Sequence, residues 1–128
     1  MTKVLVIEDD GLTRDIILNL LFLTGISAIA AADGRAGLQL ATKIIPDLIL
    51  CDVRMPELSG YDVLAALRQD STTATIPFIF LTAETNQDAI ERGQQLGANG
   101  YLNKPFTTAE LLSAIAPYLS KAREEEKN

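Results

Sequence analysis

Acidic residues stand directly after two short apolar runs, and these residues are the best placed to do chemistry. Asp52 follows the run 47–51, and Glu8 and Asp9 follow the run 4–7. Both runs are typical of strands buried on both faces, because their aliphatic side chains show no alternation with polar ones. Open α/β sheets bind ligands at the carboxyl ends of such strands. The sequence therefore predicts that three carboxylates share one cation site.

The chemistry that suits this cluster is phosphoryl transfer to an aspartate. Carboxylates held close together repel one another, and Mg²⁺ relieves that cost by binding one or two of them together with water molecules. Beside the cation, Asp52 stays ionised and can attack phosphorus to give an aspartyl phosphate. Thr82 and Lys104 follow the fourth and fifth apolar runs. We expect the hydroxyl, the ammonium and Mg²⁺ each to face one phosphoryl oxygen, because this reaction needs positioning and charge neutralisation.

Five predicted strands alternate with five predicted helices along the chain. The strands are expected over 4–7, 26–30, 47–51, 76–81 and 99–102. The helices are expected over 12–23, 34–43, 59–68, 86–96 and 107–121, with Asp33 and either Thr107 or Thr108 as N-caps. Regular βα alternation predicts a flavodoxin-like α/β fold, a doubly wound (βα)5 sandwich whose five parallel strands have the order 2-1-3-4-5. We expect one domain over 1–122, followed by a charged tail over 123–128.

Composition narrows the class of protein. The chain has 128 residues, of which 48% are hydrophobic, and a net charge of −6. A nucleic-acid surface needs a basic stripe, and none is visible, so we expect no nucleic acid partner. The single cysteine, Cys51, is expected to be a small core residue. With no signal peptide and no apolar stretch long enough to span a membrane, a cytoplasmic protein is expected.

Four stretches carry a resemblance to a known family: 4–10 (VLVIEDD), 48–60 (LILCDVRMPELSG), 80–83 (FLTA) and 100–106 (GYLNKPF). Over residues 3 to 121 the chain resembles the receiver domain of bacterial two-component response regulators, the CheY-like domains. The resemblance implies that Asp52 is the phosphoacceptor. It also implies that Asp9 binds Mg²⁺, or alternatively Mn²⁺, directly, that Glu8 does so through water, and that the backbone carbonyl of Arg54 is a further ligand. Asp10 falls outside this set.

The same resemblance implies how a phosphoryl group would be sensed. Thr82 and Tyr101 match the family's switch pair, in which the hydroxyl moves toward the phosphate and the aromatic ring turns inward. Lys104 and Pro105 match a peptide bond that is typically cis in the family. The surface expected to switch is the fourth helix, fifth strand and fifth helix. A monomer, or a weak dimer through that surface, is expected.

The partners follow from what the chain lacks. It contains no histidine, so a donor histidine must come from a sensor histidine kinase or a histidine phosphotransfer protein. We expect docking beside the first helix, where Leu12 and Ile16 offer a partly apolar strip, and output by contact with a downstream protein. Self-phosphorylation and slow self-dephosphorylation are expected, not enzymatic turnover. Arg54 and Glu84 are expected to pair across the entry route and hinder the attacking water, which would lengthen the phosphate lifetime.

Each residue also has a simpler interpretation when taken alone. A strand-end acid such as Asp52 is most often a loop cap, and Lys104 alone would be a surface lysine. Their coincidence at one sheet edge outweighs those interpretations.

There are three alternatives to a stand-alone receiver domain. An aspartate-nucleophile phosphatase of the haloacid dehalogenase class needs a second acid two residues after the nucleophile, where Arg54 stands. A flavodoxin-like FMN carrier needs a phosphate loop after the first strand, where Glu8 and Asp9 would repel phosphate. The third alternative, that the chain is a receiver domain excised from a larger regulator or a hybrid histidine kinase, stays open.

Overall fold

The fold alternates strands and helices along the whole described chain. The structure, a computed structural model, describes residues 3–83 and 86–127, and after Leu119 it describes the backbone alone. Its strands are β1 (Lys3–Ile7), β2 (Ser27–Ala31), β3 (Leu48–Asp52), β4 (Phe78–Thr82) and β5 (Gly100–Asn103). Its helices are α1 (Gly11–Leu23), α2 (Gly34–Ile44), α3 (Gly60–Gln69), α4 (Gln87–Gln95) and α5 (Thr108–Lys127).

The five strands form one parallel sheet in the order β2-β1-β3-β4-β5. This confirms the predicted flavodoxin-like topology. The chain reverses its direction of winding between β1 and β3, which are neighbours. Ligands bind in the crevice at such a switch point, because the loops that leave the two strands diverge there.

Alternate residues of each strand bury into two separate cores. One core joins the sheet to α2, α3 and the end of α4, with Phe78 and Phe80 as its largest fully buried side chains. The other joins the sheet to α1 and α5. Because both faces are covered, the central residues of β1 and β3 are apolar on both sides, which is why these two runs show no alternation with polar residues in the sequence.

Side-chain caps set where the helices begin. Asp33 accepts a hydrogen bond from the backbone of Ala36, as predicted. Ser59 and Asp62 form a capping box at α3. Thr107 is the cap of the last helix, since its hydroxyl accepts from the backbone of Glu110, whose carboxylate accepts in return. Each cap satisfies amide groups that have no partner within the helix.

Two boundaries differ from the sequence prediction by more than one residue. β4 begins at Phe78 and not at 76, because Pro77 has no N–H to donate and the Ile76 N–H bonds the Thr73 carbonyl in a turn. α5 continues to Lys127 and does not end at 121. The sequence pattern does not predict this extension, because residues 123–127 are charged and carry no apolar stripe.

The apolar side chains of α1 do not all lie on one buried face. Ile17 and Leu21 are the buried pair. Leu12, Ile16 and Leu23 are 73%, 51% and 70% exposed. One face of this helix therefore presents large apolar side chains to solvent.

No helix within residues 3–83 and 86–127 is both long and apolar enough to cross a membrane.

Candidate functional site

The strand register brings the three predicted carboxylates together. Asp52 ends β3, and Glu8 and Asp9 follow β1, which pairs with β3 up to Ile7 and Cys51. One carboxylate oxygen from each acid lies within 4.8 Å of the others. Glu8 is fully buried, Asp52 is partly buried and Asp9 is exposed. The cluster therefore runs from the interior to solvent, as an ion site open on one side must.

Lys104 reaches into the cluster from β5. Its ammonium donates a hydrogen bond to Glu8 and lies 3.3 Å from Oδ1 of Asp52. Its backbone N–H donates to the carbonyl of Thr82 at 2.8 Å, which fixes the start of the loop. The peptide bond between Lys104 and Pro105 is cis. One ammonium thus contacts two carboxylates that would otherwise repel each other.

Burial and charge act against each other on these groups. Burial raises the pKa of Glu8, the hydrogen bond from Lys104 opposes that rise, and the neighbouring Asp52 adds to it. Burial lowers the pKa of Lys104, but its contacts with Glu8 and Asp52 outweigh this effect, and the pKa is raised overall. Lys104 therefore stays protonated at neutral pH, as a charge partner for phosphoryl oxygens must.

The donor set fits a hard divalent cation. All three side chains offer carboxylate oxygens, and two of them are open enough to keep water in the coordination sphere. A second positive charge would offset the cost of holding a buried carboxylate beside Asp52. Arg54, whose carbonyl the family resemblance adds to this set, is exposed in the loop after β3. Asp10 caps α1 by accepting from the Thr13 amide and hydroxyl, and so lies outside the cluster as predicted.

The loop that follows Asp52 is held tightly against the sheet. Val53 donates to the carbonyl of Leu81, and Gly60 donates to the carbonyl of Val53 at 2.8 Å. A Cβ on Gly60 would overlap the backbone oxygen of Asp52 and lie 2.9 Å from Cε1 of Phe80. Glycine at the start of α3 therefore lets the helix approach the end of β3, where Asp52 lies.

The two predicted switch residues lie on adjacent strands. Thr82 is 2% exposed at the end of β4. Tyr101 lies on β5, where its ring packs 5.3 Å from that of Phe80 and its hydroxyl donates to the carbonyl of Ile90 at 2.8 Å. Burial raises the pKa of Tyr101. The ring thus lies between the sheet and α4.

Several residues near the site were not identified from the sequence. Tyr61 packs against Phe80, and the Arg92 guanidinium lies 4.4 Å above the Tyr61 ring. They line a groove of about 820 Å³ between α4 and the loop after Asp52. A helical aromatic or arginine carries no local signal of such a role. Glu84, the expected partner of Arg54, lies outside the described residues.

A family model described as the response regulator receiver domain matches residues 4–116. Among curated proteins, the chain is 38% identical over 122 residues to the DNA-binding dual master transcriptional regulator RpaA of Synechocystis, covering 94% of this chain and 50% of RpaA. It is 35% identical to the polar-differentiation response regulator DivK of Brucella ovis, covering 95% of this chain and 100% of DivK. The chain thus spans about half the length of RpaA and all of DivK.

A solved structure shows the same fold. The chemotaxis response regulator CheY4 of Vibrio cholerae superimposes with a TM-score of 0.87 at 35% identity, covering 93% of this chain and 99% of CheY4. Its likeness extends to both layers of helices, because nearly all of each chain is matched.

Proposed function

This chain belongs to the response regulator receiver family, and we propose that it accepts a phosphoryl group on Asp52 from a partner histidine. The observation that carries the proposal is the ammonium of Lys104, which lies 3.3 Å from the Asp52 carboxylate inside a cluster of three acids. A structural ion pair would need one acid, whereas phosphoryl transfer needs a nucleophile together with several compensating charges.

The proposed reaction forms one bond and breaks another. An oxygen of the Asp52 carboxylate attacks phosphorus on a phosphohistidine, and the P–N bond breaks as the O–P bond forms. The imidazole leaves with the electron pair and takes a proton from solvent. Lys104 neutralises one phosphoryl oxygen, and the Thr82 hydroxyl donates to another.

Residues for a metal are assigned within the same proposal. Asp9, Asp52 and the backbone carbonyl of Arg54 would hold Mg²⁺ directly, and Glu8 would hold it through water. When bound, Mg²⁺ supplies positive charge that offsets the carboxylates and the incoming phosphoryl oxygens. Lys104 contacts both Glu8 and Asp52 and would help to hold them in place.

The response to phosphorylation is proposed to run through Thr82 and Tyr101 to the surface of α4, β5 and α5. Support comes from the contact between Tyr101 and the carbonyl of Ile90 in α4. A move of the aromatic ring would change what holds this helix, so a downstream protein that reads this surface would sense the change. Self-association, where it occurs, is assigned to the same surface.

Partner choice is proposed to depend on the exposed face of α1. Leu12 and Ile16 lie on that helix, which starts beside the acidic cluster. We assign this face to a sensor histidine kinase or a histidine phosphotransfer protein, in the cytoplasm. Although RpaA is a DNA-binding regulator, the −6 net charge of this chain favours protein contacts over nucleic acid for the receiver itself. Turnover of free substrate is not part of the proposed activity.

The lifetime of the phosphoryl group is proposed to depend on Arg54 and Glu84. Arg54 is exposed beside the acceptor, where a long side chain would hinder an attacking water. Arg54→Ala should therefore speed the loss of phosphate from Asp52, measured by the decay of labelled protein. An unchanged decay rate would contradict this assignment.

Mass spectrometry tests the central proposal. After treatment with acetyl phosphate and Mg²⁺, the intact chain should gain the mass of one phosphoryl group. Asp52→Asn should abolish the gain, whereas Asp10→Asn should keep it, because asparagine caps a helix as well as aspartate does. A gain that survives Asp52→Asn would overturn the proposal. Multiple turnover of a small phosphate ester would favour the phosphatase alternative.

A further inference from the structure

The inward position of Tyr101 depends on a glycine in the neighbouring helix. Gly93 is the buried residue of α4. A Cβ built on it would overlap the Tyr101 hydroxyl, lie 2.8 Å from Cζ of the same ring and lie 2.9 Å from Cε2 of Phe80. Cβ atoms essentially never lie under 3.0 Å from other heavy atoms, so a methyl group here would displace the Tyr101 ring. The space that the tyrosine fills therefore exists only because residue 93 has no side chain.

A second tyrosine holds the same turn of α4. The Tyr61 hydroxyl donates to the carbonyl of Ala89 at 3.2 Å, and the Tyr101 hydroxyl lies 3.3 Å from that same oxygen. The stronger bond of Tyr101 goes to Ile90 at 2.8 Å. Two side chains from opposite sides thus meet at one helical turn, one from α3 and one from β5.

The aromatic packing makes the two tyrosines depend on each other. The Phe80 ring lies between them, with centroids 5.3 Å from Tyr61 and 5.3 Å from Tyr101. On its outer side Tyr61 is covered by the guanidinium of Arg92, 4.4 Å from the ring centre. Arg92 immediately precedes Gly93, so the residue that covers one tyrosine adjoins the residue that makes room for the other.

We propose that Gly93 and Tyr61 are positioning residues that hold Tyr101 inward before any phosphoryl group is present. Gly93 leaves the space open. Tyr61 fixes the turn of α4 at Ala89, which the Tyr101 hydroxyl also contacts. The surface of α4, β5 and α5 thereby rests close to its tyrosine-inward arrangement. The link to signalling rests on the proposed function, whereas the positioning itself is a property of the unmodified chain.

Fluorine NMR on the unphosphorylated full chain tests this positioning. The chain has three tyrosines, so 3-fluorotyrosine labelling gives three resonances, each assigned by a tyrosine-to-phenylalanine change. Gly93→Ala should shift the resonances of Tyr101 and Tyr61 by more than a linewidth and leave that of Tyr118 in place. Gln94→Ala is the matched control, because Gln94 is exposed on the same helix, and should shift neither. An unmoved Tyr101 resonance in Gly93→Ala would overturn the proposal.

A milder variant guards against loss of folding. Tyr61→Phe removes only the hydroxyl that contacts Ala89 and should still shift or broaden the Tyr101 resonance, whereas Tyr118→Phe should not. A Tyr101 resonance that is identical in Tyr61→Phe would refute the role of Tyr61. These spectra need no phosphoryl donor, so failure of phosphorylation at Asp52 would count against the proposed function and leave this inference standing.

Discussion

Asp9 and Asp10 are neighbours in sequence, yet their side chains have different surroundings. Asp9 contributes an oxygen to the three-carboxylate cluster. Asp10 accepts two hydrogen bonds from Thr13 at the start of α1, and these bonds lower its pKa. A carboxylate committed to a helix N-terminus is already satisfied. The pair therefore separates a proposed metal ligand, Asp9, from a helix cap, Asp10.

Replacing these two residues in turn should separate metal binding from helix capping. At about one hundred times its Kd, a bound cation stabilises the folded state by about 2.7 kcal/mol, which corresponds to a rise in Tm of roughly 10 °C for a domain of this size. We expect Mg²⁺ to produce such a rise in the parent chain and in Asp10→Asn, measured by thermal unfolding. Asp9→Asn should lose most of it, because a ligand carboxylate is gone.

Loss of the Mg²⁺ response in Asp10→Asn, or its persistence in Asp9→Asn, would contradict the assignment of the ligands. A calcium titration provides a further comparison, since Ca²⁺ takes more oxygen ligands than Mg²⁺ and tolerates irregular geometry.

The predictability of individual residues depended on whether their chemistry shows in the sequence. Acids and a lysine at the ends of several strands are an unusual set for one sheet edge, so Glu8, Asp52 and Lys104 could be found from residue type and position taken together. Gly93 and Tyr61 could not. Their importance comes from a contact across the fold, where the Tyr101 ring meets α4 at Gly93, a residue that has no Cβ.

Among the secondary-structure elements, α3 is the one most closely tied to Asp52, the proposed acceptor. Its first residue, Gly60, donates to the carbonyl of Val53, and its capping box fixes the preceding loop. The sequence predicted this helix from 59, but periodicity does not reveal how near a helix lies to the backbone of another element. The close approach was visible only in the structure.

A methyl group at Gly60 should therefore destabilise the fold. Its Cβ would overlap the backbone oxygen of Asp52, and such overpacking costs about 1–3 kcal/mol. We expect Gly60→Ala to lower the free energy of unfolding by that amount in urea denaturation. Gly11→Ala is the control, because its Cβ would meet only the Arg14 Nη2 at 3.6 Å, and should be neutral or stabilising by about 0.4–1 kcal/mol. Equal effects at the two glycines would refute the close-approach argument.

Helix α1 shows why an amphipathic pattern alone does not identify a buried face. Apolar residues occupy more than half of its circumference, so the sequence could not tell which of them face the sheet. The structure buries Ile17 and Leu21 and leaves Leu12 and Ile16 outside. Exposed apolar side chains of this kind are what an interaction face requires.

At the scale of the whole molecule, the fold was predictable because every level of the sequence agrees with it. Apolar strands without alternation require helices on both sides, and five βα units allow few topologies. The two cores confirm this arrangement. The pattern of strands and helices does not predict how exposed each helix face is, since that depends on the exact packing of each helix.

The molecule has two poles, one at the carboxyl ends of the strands, where Asp52 lies, and one at their amino ends. Exposed apolar residues lie at both poles. Leu12 and Ile16 lie on α1, beginning near the acidic cluster. Ile45 ends α2 in a left-handed conformation, with φ of 44°, and is 46% exposed. Because helices run antiparallel to the strands they follow, the end of α2 lies at the pole opposite Asp52. Of these three residues, Leu12 and Ile16 lie at the same pole as Asp52, where the proposed donor histidine would approach.

Truncating α1 should therefore impair transfer from a protein donor alone. We expect Leu12→Ala with Ile16→Ala to slow transfer from an autophosphorylated histidine kinase about tenfold or more, because loss of central apolar contacts typically costs more than 1 kcal/mol. Phosphorylation by acetyl phosphate should be unchanged, since a small donor needs no docking face. Ile45→Asn, which suits the left-handed backbone, should affect neither rate. The kinase is chosen as the fastest donor to the parent chain in a panel, and both rates are followed with labelled phosphate. Equal slowing with both donors would place the defect in the site around Asp52, whereas unchanged transfer from the kinase would remove α1 from the docking surface.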